Sequence, residues 1–349
     1  MAISFSNFDN LVNSALDFYV KEDPLIQNIQ EKPLLAALKE RQKTFPGGQG
    51  YISLPVQGAV AADTAGFFAG YSHTDQVGFV HPDNILRAKY PWREVHAGIV
   101  LDYTELKQRG VSIVDGKAPA APTSGEIQIV KDYVKAVLTN DFGESFARSM
   151  NSMCWKDGSQ DAKQMPGVLA VLDDDATSGT IGSLDRATYS WWRHRTLVGA
   201  NAITPSAANS TLVRTLNDEM VQLMRYGGRP DLAFAGSDFL SALREELFGK
   251  MQFSQAGLSK KDETQVGVAD VALNNLVFKY DPTLDQLGKG KRAYILDSRH
   301  ITLQPMDGQD MVVQKPTRPY DQYVLLKAVT WTGALTFDQL NCHGVYEIK

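Results

Sequence analysis

Cysteine is scarce in this chain of 349 residues, which contains only Cys154 and Cys342. The two residues lie far apart in the sequence, in apolar or strand-like surroundings, so they predict reduced, buried thiols and exclude a disulfide framework. Because such thiols persist in a reducing compartment, we expect the chain to be synthesised in the cytoplasm.

The chain also lacks an excess of basic residues and long apolar runs. Lysine and arginine together number 35, against 40 aspartates and glutamates, so the net charge of -5 gives no general attraction for nucleic acid. No segment approaches the roughly 20 apolar residues that span a bilayer. The first ten residues lack the basic start and apolar core of a secretory signal. We therefore expect neither a membrane protein nor a secreted one.

Catalytic motifs are missing as well. The sequence contains no G-x-S-x-G elbow, no phosphate loop, no G-x-G-x-x-G fingerprint and no H-E-x-x-H helix, and its six histidines show no ligand spacing. Asp173-Asp174-Asp175 is the best metal candidate, because hard cations prefer clustered carboxylates. Consecutive side chains diverge, however, and a solvated acidic loop is the alternative. We predict no catalytic residue and no cofactor.

What the chain does contain predicts a mixed α+β protein. Apolar spacing predicts helices at 8–19 and 33–41, which together form an N-terminal arm, and a strand at 51–56. The stretch 57–82 is rich in small and polar residues. Its aromatic residues are hard to bury locally, so we expect this long loop to be functional. They are Phe67, Phe68, Tyr71 and Phe79.

A capping box at Thr123–Glu126 begins the clearest helical pattern, whose apolar face continues to Met153. It predicts one long helix, bent at Gly143. Further on, the pattern predicts a helical and strand-forming region followed by a β-rich end. The helices are expected at 166–172, 210–226 and 238–249, and the strands at 230–235, 276–280, 292–296, 300–303, 311–314 and 320–335.

The segment from Gly179 to Arg195 contains the adjacent Trp191 and Trp192. In an extended strand, successive side chains face opposite sides, so one indole would enter the core and the other would need a second surface. Burial of both indoles within one monomer is the alternative. Asp185 and Arg186 are expected to pair within the glycine turn. The basic run 289–292 predicts a solvated turn before the strand at Arg292, or a contact with a phosphate or an acidic neighbour.

The run from Gly179 to Arg193 resembles a segment that recurs in major capsid proteins of tailed bacteriophages: a glycine turn, then Asp or Asn with Arg, then Trp-Trp-Arg. The order of elements along the chain is also similar to the capsid fold shared by these phages, herpesvirus floor domains and encapsulins. Ser183 departs from the pattern where a second glycine is common, and His194 departs where asparagine is common.

The resemblance implies an α+β capsid fold with an N-terminal arm, an extended β-hairpin loop, a peripheral domain with a long spine helix, and an α/β axial domain. The implied divisions are an arm at 1–45, the extended loop at 46–100, the peripheral domain at 101–160, the axial domain at 161–284, and a β-rich return through the peripheral domain at 285–349. The candidate subunit-interface residues are Phe67, Phe68, Tyr71, Asp185, Arg186, Trp191, Trp192 and Arg193.

The function that the resemblance implies is self-assembly into hexamers and pentamers of an icosahedral shell around phage double-stranded DNA. The implied partners are further copies of the chain, a separate scaffolding protein, a portal, a decoration protein and DNA bound without sequence specificity. The implied location is the virion capsid, assembled in the host cytoplasm. Some relatives cross-link neighbouring subunits through a lysine in the extended loop, but residues 47–82 contain no lysine.

Two other functions remain open from the sequence. One is an encapsulin-like nanocompartment shell, which shares the fold and encloses a protein cargo. The other is a soluble metal-dependent enzyme that uses Asp173 to Asp175.

Overall fold

The structure is a computed structural model that describes residues 30–58, 67–76, 78–79, 85–102, 104, 108, 143–248, 271–273, 276–314, 322 and 324–349. The helices with described bounds are α1 (Pro33–Glu40), α2 (Glu144–Trp155), α3 (Val168–Val171), α4 (Thr211–Met224), α5 (Ser237–Phe248) and α6 (Pro282–Gln286). The strands are β1 (Tyr51–Gln57), β2 (Ile85–Pro91), β3 (Arg93–Asp102), β4 (Thr180–Ile181), β5 (Leu184–Asp185), β6 (Arg195–Leu197), β7 (Leu232–Ala235), β8 (Val271–Leu273), β9 (Leu276–Tyr280), β10 (Arg292–Leu296), β11 (Ile301–Pro305), β12 (Val312–Val313), β13 (Val324–Phe337) and β14 (Gly344–Glu347).

Strands β1 and β2 form an antiparallel two-stranded ribbon, in which Tyr51 lies opposite Pro91 and Gln57 lies opposite Ile85. The long loop predicted after 56 therefore starts and ends at the same end of this ribbon. Val56 of β1 and Tyr90 of β2 are both buried in the larger of two apolar cores. One face of the ribbon is thus packed against the body of the protein.

The 14-residue strand β13 is central to a four-stranded sheet. It pairs with β3 along one edge and with β11 and β12 along the other. Helix α2 is the C-terminal part of the helix predicted through Met153, and it begins directly after Gly143, where a bend was predicted. The predicted helix at 8–19 and residues 123–142 of the long helix lie outside the described residues.

A buried polar network joins the arm to α2 and α6. Asp281 is fully buried and accepts hydrogen bonds from Trp155 Nε1 (2.7 Å) and from the backbone N–H of Thr283 (2.9 Å). Asn151 donates to Thr283 Oγ1 (2.7 Å) and accepts from the backbone N–H of Leu35 (3.0 Å). Because buried polar groups are costly without partners, this network fixes where α1 lies on α2.

The second sheet has six strands in the order β6-β14-β10-β7-β9-β8. Helices α4 and α5 pack against it and, together with its strands, supply most of the second apolar core. Glu246 of α5 accepts hydrogen bonds from the backbone N–H groups of Ser206, Leu212 and Val213, and so satisfies the start of α4, where Ser210 makes no side-chain cap. The fold is mixed α+β, as predicted.

The six-stranded sheet crosses the division expected at residue 284. Strand β10 pairs with β7, and β14 pairs with β10, so two strands from the C-terminal region complete the sheet that contains β7 and β9. Cys154 and Cys342 are free and buried, as predicted. Among the described residues, no helix has the length and apolar character needed to cross a bilayer.

Candidate functional site

The Gly-Trp segment, residues 179–193, begins with a tight hairpin between β4 and β5. Its two loop residues, Gly182 and Ser183, have φ angles of 59° and 67°, the left-handed pair that a type I′ turn requires. The carbonyl of Gly182 accepts a hydrogen bond from the backbone N–H of Lys89 at 2.8 Å. A β-carbon at Gly182 would lie 3.1 Å from Ala88 Cβ and 3.2 Å from Tyr90 Oη, so the hairpin tip rests closely on β2.

The prediction that Trp191 and Trp192 lie in an extended strand is wrong. The backbone N–H of Trp192 donates to the carbonyl of Tyr189 at 3.0 Å, which places the pair in a turn. The turn sends both indoles towards the protein instead of to opposite faces of a strand. Trp192 is 1% exposed, and its indole N–H donates to the carbonyl of Ile181 at 3.0 Å.

Trp191 is half-buried and lies between other rings and the start of the long loop. Its ring centroid is 5.6 Å from that of Tyr189 and 5.7 Å from that of Trp192. A β-carbon on Gly58 would fall inside the Trp191 indole, so this ring lies directly against the residue that follows β1. Residues of the same chain therefore cover much of Trp191, as expected if both indoles pack within one monomer. A role for Trp191 at a subunit interface stays a prediction.

The ion pair predicted between Asp185 and Arg186 is also wrong. The Arg186 guanidinium, 3% exposed, donates to both carboxylate oxygens of Asp173, with Nη1 to Oδ1 at 2.7 Å. Asp185 instead accepts from the backbone N–H of Ala187 and from the hydroxyl of Thr188, and the Thr188 hydroxyl is the main cause that lowers the pKa of Asp185. Side chains at successive positions point apart, so Asp185 closes its own turn.

Arg193 holds the other end of this turn. Its Nε donates to the carbonyl of Arg186 at 2.7 Å, and its Nη2 donates to the carbonyl of Ala187 at 3.1 Å. A guanidinium can satisfy two adjacent carbonyls at once because its donors form a planar fork. The Trp-Trp-Arg sequence thus supplies a buried indole, a half-buried indole and a carbonyl clamp to one compact turn.

The three consecutive aspartates have three separate partners. Asp173 binds Arg186, and Asp174 binds the guanidinium of Arg292, with its Oδ2 3.1 Å from Nη2. Asp175 accepts from Thr177 and Ser178, and the hydroxyl of Ser178 is the main cause that lowers the pKa of Asp175. The carboxylates therefore diverge and do not form the shared cation site of the metal-enzyme interpretation.

A turn at 290–291, with Lys291 exposed, precedes the strand that begins at Arg292, as expected. Arg292 itself is not part of the solvated turn. It is 6% exposed and lies between Asp174 and Glu347 of β14, with Nε 3.3 Å from Glu347 Oε1. Burial lowers the pKa of Arg292, but its interactions with Asp174 and Tyr294 together outweigh burial and raise the pKa overall. The acidic neighbour considered from the sequence is therefore within the chain. Sequence reasoning missed it because the pairing partners lie 118 residues apart.

His194 follows the Trp-Trp-Arg sequence and is 3% exposed. Burial lowers the pKa of His194 to about 4, so the ring is neutral at pH 7. Its Nε2 lies 3.0 Å from the carbonyl of Asp173, and a neutral ring can bond a carbonyl only by donating, so Nε2 carries the proton. His194 thus joins the acidic loop to the Gly-Trp segment without contributing charge.

One other group of side chains in the described residues has a composition that suits a metal: Asp297, His300 and Cys342 each place one ligand atom within 4.8 Å of the others. Both oxygens of Asp297 are occupied by N–H donors, among them Arg299 Nε at 2.9 Å and the backbone N–H of Arg229 at 2.7 Å. Burial raises the pKa of the Cys342 thiol, which opposes the thiolate form that binds metals. The oxygens of Asp297 are therefore already used in hydrogen bonds, and the Cys342 thiol is a poor metal ligand.

The aromatic loop, residues 58–84, differs from the Gly-Trp segment in exposure. Its described part carries four aromatic side chains that are largely exposed: Phe67 (53%), Phe68 (98%), Tyr71 (74%) and Phe79 (97%). In the described part of the loop, a turn between Ser72 and Asp75 supplies local hydrogen bonds. So many exposed rings on one loop are typical of a surface that contacts another protein.

The structure resembles solved capsid structures over nearly its whole length. The capsid asymmetric unit of cyanophage A-1(L) matches with a TM-score of 0.62 and 14% identity, covering 93% of this chain and 95% of the other. The capsid of a native GTA particle matches with a TM-score of 0.57 and 13% identity, over 94% and 96%. The capsid of Myoviridae phage XM1 matches with a TM-score of 0.54 and 10% identity, over 94% and 95%.

No protein-family model and no curated protein matches the sequence. At identities this low, the structural likeness establishes the fold, which is the one found in these phage capsids. The expected capsid fold, inferred from the Trp-Trp-Arg sequence and the order of elements, is therefore confirmed.

Proposed function

We propose that this chain is a phage major capsid protein, a structural subunit that self-assembles into hexamers and pentamers of an icosahedral shell around double-stranded DNA. One observation carries the proposal: the chain has the capsid fold along nearly its entire length, with no large region left over for another activity. The match also covers 95% of the cyanophage capsid chain, so nearly all of that chain has a counterpart here.

The exposed aromatic loop supports self-association. Phe68 and Phe79 are almost completely exposed, and burying one such side chain is worth about 2 kcal/mol. A protein that remained a monomer would leave this surface in water. Docking of the loop on a neighbouring copy of the chain would bury this surface. We therefore assign Phe67, Phe68 and Tyr71 to a subunit interface.

We propose the same division of the chain as the resemblance implies, with one extension. The arm comprises 1–45, the extended loop 46–100, the peripheral domain 101–160 with the return at 285–349, and the axial domain 161–284. Strands β10 and β14 are better assigned to the axial domain, because they complete its six-stranded sheet. The C-terminal region then belongs to both domains.

The proposed partners follow from a shell of this kind. They are other copies of the chain, a separate scaffolding protein, a portal, a decoration protein and enclosed DNA bound without sequence specificity, and the proposed location is the virion capsid after assembly in the host cytoplasm. The net charge of -5 supports weak contact with DNA, because a strongly basic inner surface would hold a polyanion too firmly for packaging and release.

The direct test is expression of the full chain with and without the products of its neighbouring genes. Sedimentation and electron microscopy should reveal closed shells, and nuclease-protected DNA should accompany shells made during infection. A protein cargo without DNA would favour a nanocompartment shell instead. Stable monomers under every condition would contradict the proposal.

A matched pair of variants tests the role of the aromatic loop. Phe68→Ser together with Phe79→Ser should block shell formation without lowering the melting temperature. Val221→Ser is the control, because Val221 is also exposed (63%) but lies on α4, outside the loop. Equal assembly of the wild type and the double variant would remove the loop from the interface.

A further inference from the structure

We propose that the Gly-Trp segment is a clamp that fixes the direction in which the aromatic loop leaves the β1–β2 ribbon, with Trp191 as its positioning residue. The importance of this clamp for assembly rests on the proposed function. Its effect on the loop is a property of the single subunit.

The clamp contacts strand β2 and the residue that directly follows β1. On β2, the carbonyl of Gly182 accepts the Lys89 N–H at 2.8 Å, and the absence of a side chain at Gly182 allows contact with Ala88 and Tyr90. After β1, the indole of Trp191 lies directly against Gly58, because a β-carbon there would fall within about 2 Å of its ring atoms. One segment therefore contacts both Gly58, where the loop begins, and β2, the strand to which the chain returns.

The contact between Gly58 and Trp191 depends on a missing side chain. A β-carbon at Gly58 would coincide with the indole, so any other residue there forces either the ring or the chain to move. The backbone of Gly58 has no positive φ that would itself require glycine. Close approach of the ring thus accounts for the glycine at this position.

Contacts within the chain fix the position of the Trp191 ring. It packs against the rings of Tyr189 and of Trp192, and Trp192 is itself fully buried and bonded to Ile181. The paired Arg186 and Asp173 also fasten the segment to the acidic loop, residues 173–175. Trp191 is half-buried, which fits a ring that packs against the apolar core and against Gly58, where the loop begins.

The test measures the position of the loop in unassembled subunits. Spin labels are placed at Ser72→Cys in the loop and at Ala162→Cys on the body, where both native residues are exposed. The natural thiols are buried, and burial raises the pKa of Cys154 to about 12, so neither should compete for the label. Double electron–electron resonance spectroscopy then gives the distribution of distances between the two spin labels.

We expect a narrow distribution in the wild type and a roughly twofold broader or shifted one in Gly58→Ala and in Trp191→Ala. Gly50→Ala is the matched control, because a β-carbon there meets nothing within 4 Å, and it should leave the distribution unchanged. The double variant Gly58→Ala/Trp191→Ala should be no broader than Trp191→Ala alone, since alanine then occupies the space that the indole has left.

Additive broadening in the double variant would overturn the proposal, as would wild-type distributions in both single variants. Trp191→Phe serves if Trp191→Ala fails to fold, because the smaller ring keeps the contact with Tyr189 and should broaden the distribution less. Shell formation by the wild type is assayed separately. A wild type that never assembles contradicts the proposed function, whereas an unchanged loop position contradicts the clamp.

Discussion

In the Gly-Trp segment the large and charged side chains find partners inside the same chain, whereas in the aromatic loop four rings of similar size face solvent. Trp192 is 1% exposed and Phe68 is 98% exposed, although both are large apolar residues. The difference separates two tasks of one subunit. The first region packs within the monomer, and the second leaves apolar surface exposed, which is the surface that we propose for association.

The comparison predicts its largest effect at Trp192. Replacement by alanine removes a fully buried indole and its hydrogen bond to Ile181, so Trp192→Ala should lower the free energy of unfolding by about 3–5 kcal/mol. Chemical denaturation of the unassembled subunit measures this change. Val277→Ala, at a 38% exposed position on β9, is a control that should cost far less. A loss below that of the control would place Trp192 outside the core.

A smaller loss is expected when the buried ion pair is broken, and it should depend on which partner is removed. Asp173→Ala leaves the Arg186 guanidinium buried without its partner and should cost about 3 kcal/mol, the lower end of the usual range because Asp173 is 39% exposed. Arg186→Met leaves a carboxylate that water can reach, so it should cost about 1–2 kcal/mol. Urea midpoints of the two variants measure the difference, and equal losses would contradict the asymmetry.

Acid should weaken the Gly-Trp segment through His194. Its pKa falls from the ordinary 6.5 to about 4 on folding, because burial disfavours the charged ring, so stability is complete above pH 6.5 and is lost as the pH falls towards 4. The shift corresponds to about 3 kcal/mol at most. Asp174 and the buried His343 have lowered pKa values and act in the same direction. Stability measured against pH should therefore fall less steeply in His194→Asn than in the wild type. The remaining slope is due to those two groups and to the other carboxylates with lowered pKa values, which are Glu144, Asp157, Asp175, Asp185 and Asp297.

The sequence predicted α1, β1, α4, α5, β9 and β10 to within a few residues, because their apolar periodicity is local. It also predicted the capsid fold from a short run of residues and the order of elements. It did not predict the partners of Arg186 and Arg292, which lie 13 and 118 residues away. Nor did it place Trp191 and Trp192 in a turn. The turn is closed by the bond from the Trp192 N–H to the Tyr189 carbonyl and is held by side-chain bonds to the carbonyls of Ile181 and Arg186, which the apolar pattern does not reveal.

A small gain in stability is expected at the hairpin of the same segment. Ser183 has a φ of 67°, which costs about 1 kcal/mol for a residue with a β-carbon, and glycine at this position would remove the strain. Part of the gain is offset by the greater freedom of glycine in the unfolded chain. Ser183→Gly should therefore raise the free energy of unfolding by about 0.5 kcal/mol, measured by thermal melting. Gly182→Ala, which introduces both strain and a close contact with Ala88, should lower it.

The smallest effect on the monomer is expected in the aromatic loop, where Phe68→Ser should change the free energy of unfolding by less than about 0.5 kcal/mol. The side chain is already solvated in the unassembled subunit, so its removal costs the folded state almost nothing. Its removal should instead reduce the rate and yield of shell assembly, followed by light scattering at matched subunit concentrations. A loss of stability comparable to that of Trp192→Ala would mean that the loop packs against its own subunit, and the contrast between the two regions would then disappear.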